Sequence, residues 1–378
     1  PFARAQWVSR YASQSFTNAA QVLKHFDLSR SVGDATVVME PVGVAALFAP
    51  WNSTAGTICS KLASAIAAGC ASVIKPSELS PLQTTVLAQA LHRAELPNGV
   101  FNILLGRGSD VGDEISASPL IAKISFTGST ATGKLIARAG IETMKRVSLS
   151  LTGKSASIIL DDADLDIAIP LALNAAFMNN GQACVAGTRL LVPRSHAEDI
   201  IERVKSLVEA MVVGDPQDPA TALGPLVNRA QFDRVQAFIR RGQAQGATLI
   251  IGGEGRPTGL DKGYFVRPTV FADVSNDMDI AQEEIFGPVL SIIAYDSQEQ
   301  AIAIANASLY GLQAYVFSRQ PERAQRLATQ LQAGSVLINR ISPELLAPFG
   351  GVKQSGVGRE FGVFGLQAFL EAKSIVSD

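Results

Sequence analysis

The residues best placed to do chemistry lie in Asn179-Asn180-Gly181-Gln182-Ala183-Cys184-Val185-Ala186-Gly187-Thr188-Arg189. One cysteine stands there between glycine-rich turns, after an apolar run and before the strand-like Leu190-Leu191-Val192-Pro193. A thiol at such a turn is open to a small molecule and to backbone N–H groups, which is what covalent attack on a carbonyl requires. A cysteine by itself is more often a small buried apolar residue, so the rest of the chain has to be weighed with it.

Three further segments carry polar groups at strand ends. Pro50-Trp51-Asn52 follows a strand, where open α/β sheets place ligands. The Asn52 amide can offer an N–H to an oxyanion, although a turn asparagine is the plainer reading. Lys75-Pro76-Ser77-Glu78 follows the next strand; its lysine and carboxylate suit the hydroxyls of an adenosine ribose, or else form a solvated pair. Phe126-Thr127-Gly128-Ser129-Thr130-Ala131-Thr132-Gly133 joins a strand to a helix. Ser129 or Thr130 can cap that helix, whose free N–H groups suit a pyrophosphate. Glycine-rich turns of this kind are common, and this one is not the G-x-G-x-x-G fingerprint.

These segments need a scaffold, and the chain can build one. Its 378 residues suffice for two or three domains, and 47% hydrophobic with 17% charged residues describe an α/β globular protein. The net charge of −2 comes with no basic cluster among aromatics, which leaves nucleic-acid binding without support. The longest uncharged apolar stretch, Leu62 to Ile74, is 13 residues and too short to cross a bilayer. Cys59, Cys70 and Cys184 are odd in number and form no C-x-x-C pair, which points to a reducing, cytoplasmic setting. Cys59 and Cys70 flank or lie within an Ala-rich helix and read as core. The three histidines are scattered, so no metal site is expected, and the carboxylates of Asp161 to Asp166 read as a helix start. The chain begins with proline, as a processed or truncated product would.

From Val42 onward, short β-branched runs alternate with helical stretches. Strands are expected at Gly43 to Phe48, Ala71 to Lys75, Val100 to Leu105, Lys123 to Phe126 and Arg146 to Leu151. Helices are expected at Lys61 to Ala68, from about Pro81 to Ala94, and from Thr130. After Gly153 come strands at Ser157 to Leu160, Arg189 to Val192, Val289 to Ala294, Ala314 to Phe317 and Val336 to Asn339. Helices there span Leu165 to Phe177 and Ala197 to Ala210. Such alternation means crossover units and mostly parallel sheets covered on both faces.

Together with Glu283-Glu284-Ile285-Phe286-Gly287-Pro288 and Pro348-Phe349-Gly350-Gly351-Val352-Lys353, the motifs resemble the NAD(P)-dependent aldehyde dehydrogenase family, in order from about Glu40 to Ser374. The resemblance implies a Rossmann-type cofactor domain (1–32 and 42–152, incomplete at its N-terminus) and an α/β catalytic domain (153–353). Strands at 33–41 and 369–378 would make a dimer or tetramer. It further implies that Cys184 attacks an aldehyde and that Asn52, with the cysteine's own N–H, holds the oxyanion. Lys75 and Glu78 would bind the adenosine ribose, Gly128 and Ser129 the pyrophosphate, and Glu284 the nicotinamide ribose with Phe286 nearby. Pro50, Trp51 and Leu151 would line the cofactor site. A carboxylate at Glu78 favours NAD over NADP. Phe177 and Met178 are candidates for a substrate wall, or for packing.

Three departures from the family pattern stand out. Ser150 replaces the glutamate that activates water for thioester hydrolysis, and a serine hydroxyl stays protonated at neutral pH. Thr152 replaces glycine beside it. Asn52-Ser53-Thr54-Ala55-Gly56-Thr57 replaces larger apolar residues, which should widen the tunnel. On the order of a hundred residues of the family's length precede the first residue here. The expectation is therefore an aldehyde dehydrogenase with impaired deacylation. The alternatives are acyl transfer to coenzyme A, Glu360 acting as a distant base through water, or a catalytically silent binding or structural relative.

Overall fold

Short β-branched runs become strands and the stretches between them become helices, giving two mostly parallel sheets. The structure, a computed structural model, describes residues 1–377. Two compact units result. One comprises Gln6–Leu151, Glu344–Gly350 and Gly356–Asp378; the other comprises Pro1–Ala5, Thr152–Pro343 and Gly351–Ser355.

In the first unit the sheet is built from β1 (Val44–Phe48), β2 (Ala71–Lys75), β3 (Phe101–Ile103), β4 (Lys123–Thr127) and β5 (Arg146–Ser150). Their order is β5-β4-β1-β2-β3, all parallel, and the short strand Gly356–Val357 pairs antiparallel outside β5. Strand order reverses between β1 and β4, which makes a ligand crevice at the carboxyl ends of these neighbours. Apolar clusters cover both faces, one around Leu47, Ile58, Leu62 and Ile74, the other around Phe48, Ile124, Phe126 and Leu149. Each side chain removed completely from water contributes about 1.5–3 kcal/mol. Cys59 and Cys70 are buried in the first cluster as expected, and burial pushes the Cys59 thiol up to about 11.

The helix expected from Lys61 starts about two turns earlier, at Thr54, and runs to Ala67. The Thr54 hydroxyl bonds to the Pro50 carbonyl at 2.8 Å, which folds the segment after β1 directly into the helix. Residues 54–57 are therefore helical, and the Tyr11 ring occupies the space beside Gly56. An antiparallel ribbon of Ser29–Val32, Ala35–Pro41 and Leu370–Val376 completes this unit. It includes most of the two segments assigned above to oligomerisation; Asp378 lies outside the described residues.

In the second unit the strands are β6 (Ala156–Ile159), β7 (Arg189–Pro193), β8 (Thr248–Ile251), β9 (Thr269–Ala272), β10 (Val289–Tyr295), β11 (Gln313–Phe317) and β12 (Ser335–Ile338). Their order is β8-β9-β10-β7-β6-β11-β12, parallel except for β8. Every residue of β6, β7 and β11 is buried, as befits strands covered on both faces. The Asp161–Asp166 run does start a helix: Asp164 caps Leu165–Phe177 by accepting from the Asp166 N–H at 3.1 Å. Among the described residues, no helix is long and apolar enough to cross a membrane.

Candidate active site

In the first unit, three of the motifs emerge side by side at the carboxyl ends of β4, β1 and β2. Pro50 caps a single 3-10 turn holding Trp51 and Asn52, all partly buried. Lys75 ends β2 with its side chain buried; its ammonium donates to the Pro76 carbonyl at 3.1 Å and lies 3.5 Å from the exposed Glu78 carboxylate. The strand thus offers a carboxylate to water, braced by a cation that is not. After β4, the Gly128 N–H donates to the Ser150 carbonyl at 3.1 Å. Ser129 caps the helix Thr130–Ile141 by accepting from the Thr132 N–H at 3.2 Å, leaving a helix N-terminus at the crevice. A Cβ at Gly133 would stand 2.6 Å from Leu151, so glycine there lets that helix close on the end of β5.

The same unit buries a charged network on one sheet face. Lys61, on the helix after Asn52, donates to Glu360 at 2.6 Å and to Ser125 at 2.7 Å. Lys123 donates to Ser148 at 2.8 Å, and burial, with Lys61 close by, pushes its ammonium down to about 8. Glu360 is fixed by its backbone, which exchanges hydrogen bonds with Phe349 of the Pro348-Phe349-Gly350 motif. Ser125 and Ser148 are paired in register, as are Thr127 and Ser150. With a period of two, Ser148 and Ser150 share a sheet face. The Ser150 side chain is buried and its hydroxyl has no hydrogen-bond partner among the described residues.

In the second unit, Cys184 is partly exposed while Gly181, Gln182, Ala183 and Ala186 around it are buried. The turn leading to it is strained: Asn179, Asn180 and Gly181 have φ of 54°, 59° and 70°. Such left-handed runs persist only where the surroundings enforce them. Asn180 supplies part of that force, accepting from the Gly224 N–H at 2.8 Å and donating to the Pro225 carbonyl at 3.1 Å. Gln182 accepts from the Val227 N–H at 3.0 Å. Two glycines allow the remaining motifs to touch this turn. A Cβ at Gly181 would lie 2.2 Å from the Gly287 carbonyl oxygen, and one at Gly153 would lie 2.1 Å from the Cys184 carbonyl oxygen. The segments around 153, 184 and 287 are therefore in direct backbone contact.

Replacing Gly153 by alanine should displace the cysteine turn. Overpacking of this kind costs about 1–3 kcal/mol. The expected result is a lowered unfolding midpoint together with an altered rate of Cys184 alkylation, read by intact mass. An unchanged rate would show that the turn does not depend on this contact.

Glu284 sits beside that contact. As a residue it is only partly buried, but its carboxyl group lies deep, and burial pushes it up to about 7. It accepts from the Gly153 N–H at 3.1 Å. Lys154 is buried close by and pushed down to about 7 by burial and by Arg189. Phe286 has φ of 61°, and its carbonyl accepts from Gln231 at 2.8 Å. Phe177 is buried in the core with Ile159 and Leu173, and Met178 packs against that cluster, which favours the packing alternative for both. No group of three or more potential metal ligands occurs among the described residues.

The model of the aldehyde dehydrogenase family matches residues 3–375. The chain belongs to that family. An aldehyde dehydrogenase-type oxidoreductase fold is thus carried by nearly every residue described. Among similar proteins, a 3-succinoylsemialdehyde-pyridine dehydrogenase from Pseudomonas sp is 46% identical over 361 residues, 96% of this chain and 76% of the relative. A cysteine-to-alanine mutant of aldehyde dehydrogenase C from Pseudomonas syringae, solved with NAD+ and octanal, superposes with a TM-score of 0.95 at 46% identity, covering 97% of this chain and 76% of that one. The Mycobacterium tuberculosis aldehyde dehydrogenase bound to NAD+ gives 0.94 at 42% identity, covering 98% and 77%.

Two features of this aldehyde dehydrogenase escaped the sequence reading. Lys61 was read only as the start of a helix, yet a single charge inside Cys59-Ser60-Lys61-Leu62-Ala63 signals a buried cation that needs a partner. The backbone bond from the Gly153 N–H to the Glu284 carboxylate joins residues that nothing in their spacing connects.

Proposed function

We propose that this chain oxidises an aldehyde with NAD through a thiohemiacetal and then a thioester on Cys184, and that hydrolysis of the thioester is slow. The observation that carries the proposal is the contrast between a partly exposed Cys184 on an enforced turn and a buried Ser150 hydroxyl with no hydrogen-bond partner among the described residues. The family membership supports the chemistry, and the relatives solved with NAD+ support the cofactor.

Each unit carries groups that suit part of a dinucleotide. In the first, Glu78 presents a carboxylate to a ribose diol and the helix N-terminus at Ser129 and Thr130 presents N–H groups to a pyrophosphate. In the second, Glu284 presents a carboxylate. Trp51 and Leu151 would flank the dinucleotide. When bound, NAD supplies the hydride acceptor. The protein's part is as follows. The Cys184 thiolate adds to the carbonyl carbon, and the resulting oxyanion takes hydrogen bonds from the Cys184 N–H and the Asn52 amide. Each such donor typically supplies about 3 kcal/mol of stabilisation. Loss of hydride leaves an acyl thioester. Water must then be deprotonated to attack it, and a serine hydroxyl at 150 cannot take that proton.

Rapid mixing of protein, NAD and a short aldehyde tests this. One NADH per site should form in a burst followed by slow turnover, with an acyl adduct on Cys184 by intact mass. Fast steady production of acid would overturn the slow step, and no adduct at all would mark a silent relative. Turnover restarted by coenzyme A would assign the acyl group to that thiol instead of water.

A further inference from the structure

We propose that Tyr315 is a positioning residue for the Cys184 nucleophile, holding the far side of its turn through the Val185 carbonyl; this rests on the thiohemiacetal reading above. Ala183-Cys184-Val185-Ala186 is a β-turn, closed by the Ala186 N–H donating to the Ala183 carbonyl at 3.0 Å. Cys184 and Val185 are its two central residues, and each has its carbonyl held. That of Cys184 is seated against Gly153. That of Val185 accepts from the Tyr315 hydroxyl at 3.0 Å. Asn180 and Gln182 fix the chain entering the turn, and Tyr315 fixes the chain leaving it.

The direction of the Tyr315 bond follows from the groups in it. A carbonyl can only accept, so the single phenol hydrogen points to Val185 and the phenol oxygen is left to accept. Gln313, two residues back on β11 and so on the same sheet face, donates its side-chain amide to that oxygen. Both side chains are buried. Burial pushes the Tyr315 phenol up, with Cys184 acting in the same direction, so the donor keeps its proton through the neutral range. The backbone is shaped to admit the ring. Tyr315 stands opposite Ser157 of β6 in register, and a Cβ at Gly187 would lie 3.1 Å from the ring and 2.3 Å from the Ser157 hydroxyl oxygen. Glycine at 187 therefore lets the chain after the turn lie across this pair.

The consequence is chemical. The donor that Cys184 itself offers an oxyanion is a backbone N–H, which no rotamer change can re-aim; the peptide planes of the turn set its direction. Without the Tyr315 hydroxyl the Val185 carbonyl loses its anchor, and the turn is free to rotate with the cysteine in it. Misplacement of a reacting group by about 1 Å can cost about 10²-fold in rate. Addition of the thiolate to an aldehyde builds an oxyanion and should feel this, whereas alkylation of the same sulfur builds none.

Stopped-flow mixing of wild type, Y315F and Y295F with NAD+ and propanal tests the assignment. Tyr295 is the matched control, a buried tyrosine of the same unit whose hydroxyl donates to the Ile159 carbonyl at 2.7 Å. Each variant loses one buried bond of the same kind, so both unfolding midpoints should fall by similar amounts. Only Y315F should slow the NADH burst, by about 10- to 100-fold, with NAD+ affinity kept and iodoacetamide alkylation of Cys184 changed far less. A Y315F burst as fast as wild type, or slowed no more than that of Y295F, overturns the proposal and leaves the thiohemiacetal reading standing. Alkylation slowed as much as the burst marks a general loosening of the turn and overturns it too. No burst from the wild type overturns the thiohemiacetal reading and this proposal with it.

Discussion

Replacing Ser150 by glutamate together with Thr152 by glycine should raise steady-state aldehyde oxidation by about 10²-fold or more, the range over which a positioned general base acts. Position 150 is buried at the carboxyl end of β5, and its hydroxyl finds no partner among the described residues. A serine there is therefore a group from which nothing in the structure draws a proton. The strand is anchored on both sides, by β4 and by Gly356–Val357, so the new side chain would inherit a fixed backbone. The burst should merge into linear turnover while the adduct on Cys184 disappears from the steady state. The T152G single variant separates the two substitutions, since it should not restore turnover. A double variant that still shows a burst and stalls would place the slow step elsewhere.

Neutralising Glu360 should have the largest effect on stability. Its partner Lys61 has a side chain only 1% exposed, and the two meet at 2.6 Å. Breaking a buried pair from one side strands a charge in the interior and costs about 3–5 kcal/mol. E360Q should accordingly lower the thermal and urea midpoints far more than R146A, which removes an exposed pair with Glu371. Surface pairs contribute about 0–1 kcal/mol. Adding K61M to E360Q should recover most of the loss, because the stranded charge is then gone. If E360Q unfolds where the wild type does, the ammonium has found another partner. Should E360Q keep its fold but slow deacylation further, the relay reading for Glu360 gains support.

How far these features could be seen in advance depends on the range of the interaction. The five parallel strands of the first sheet, and all of the second except Thr248–Ile251 and Thr269–Ala272, were legible because β-branched runs are bounded by glycine, proline and capping residues, and all of that information is local. The motifs at the ends of β1, β2 and β4 were legible for the same reason. The helix Arg229–Ala244 was passed over because four arginines and three glutamines mask it, although Phe232, Val235 and Ile239 mark a buried face and Asn228 caps it. The pairing of Lys61 with Glu360, and of the Gly153 N–H with Glu284, joins residues far apart in the chain. Each half reads as an ordinary polar group until the fold brings its partner up. The early start of the helix at Thr54 was missed because Asn-Ser-Thr and Gly56 look like a loop, and the bond from Thr54 to the Pro50 carbonyl was needed to see otherwise.

The turn before the cysteine carries a chemical consequence of its own. Asn180-Gly181 is the dipeptide that ages fastest in a loose chain, because the glycine nitrogen can swing onto the asparagine amide and close a succinimide. In this fold both ends of that amide are tethered, to Gly224 and Pro225, in a residue only 6% exposed. Ring closure would first have to break both tethers, so deamidation at this pair becomes a clock for how often the turn opens.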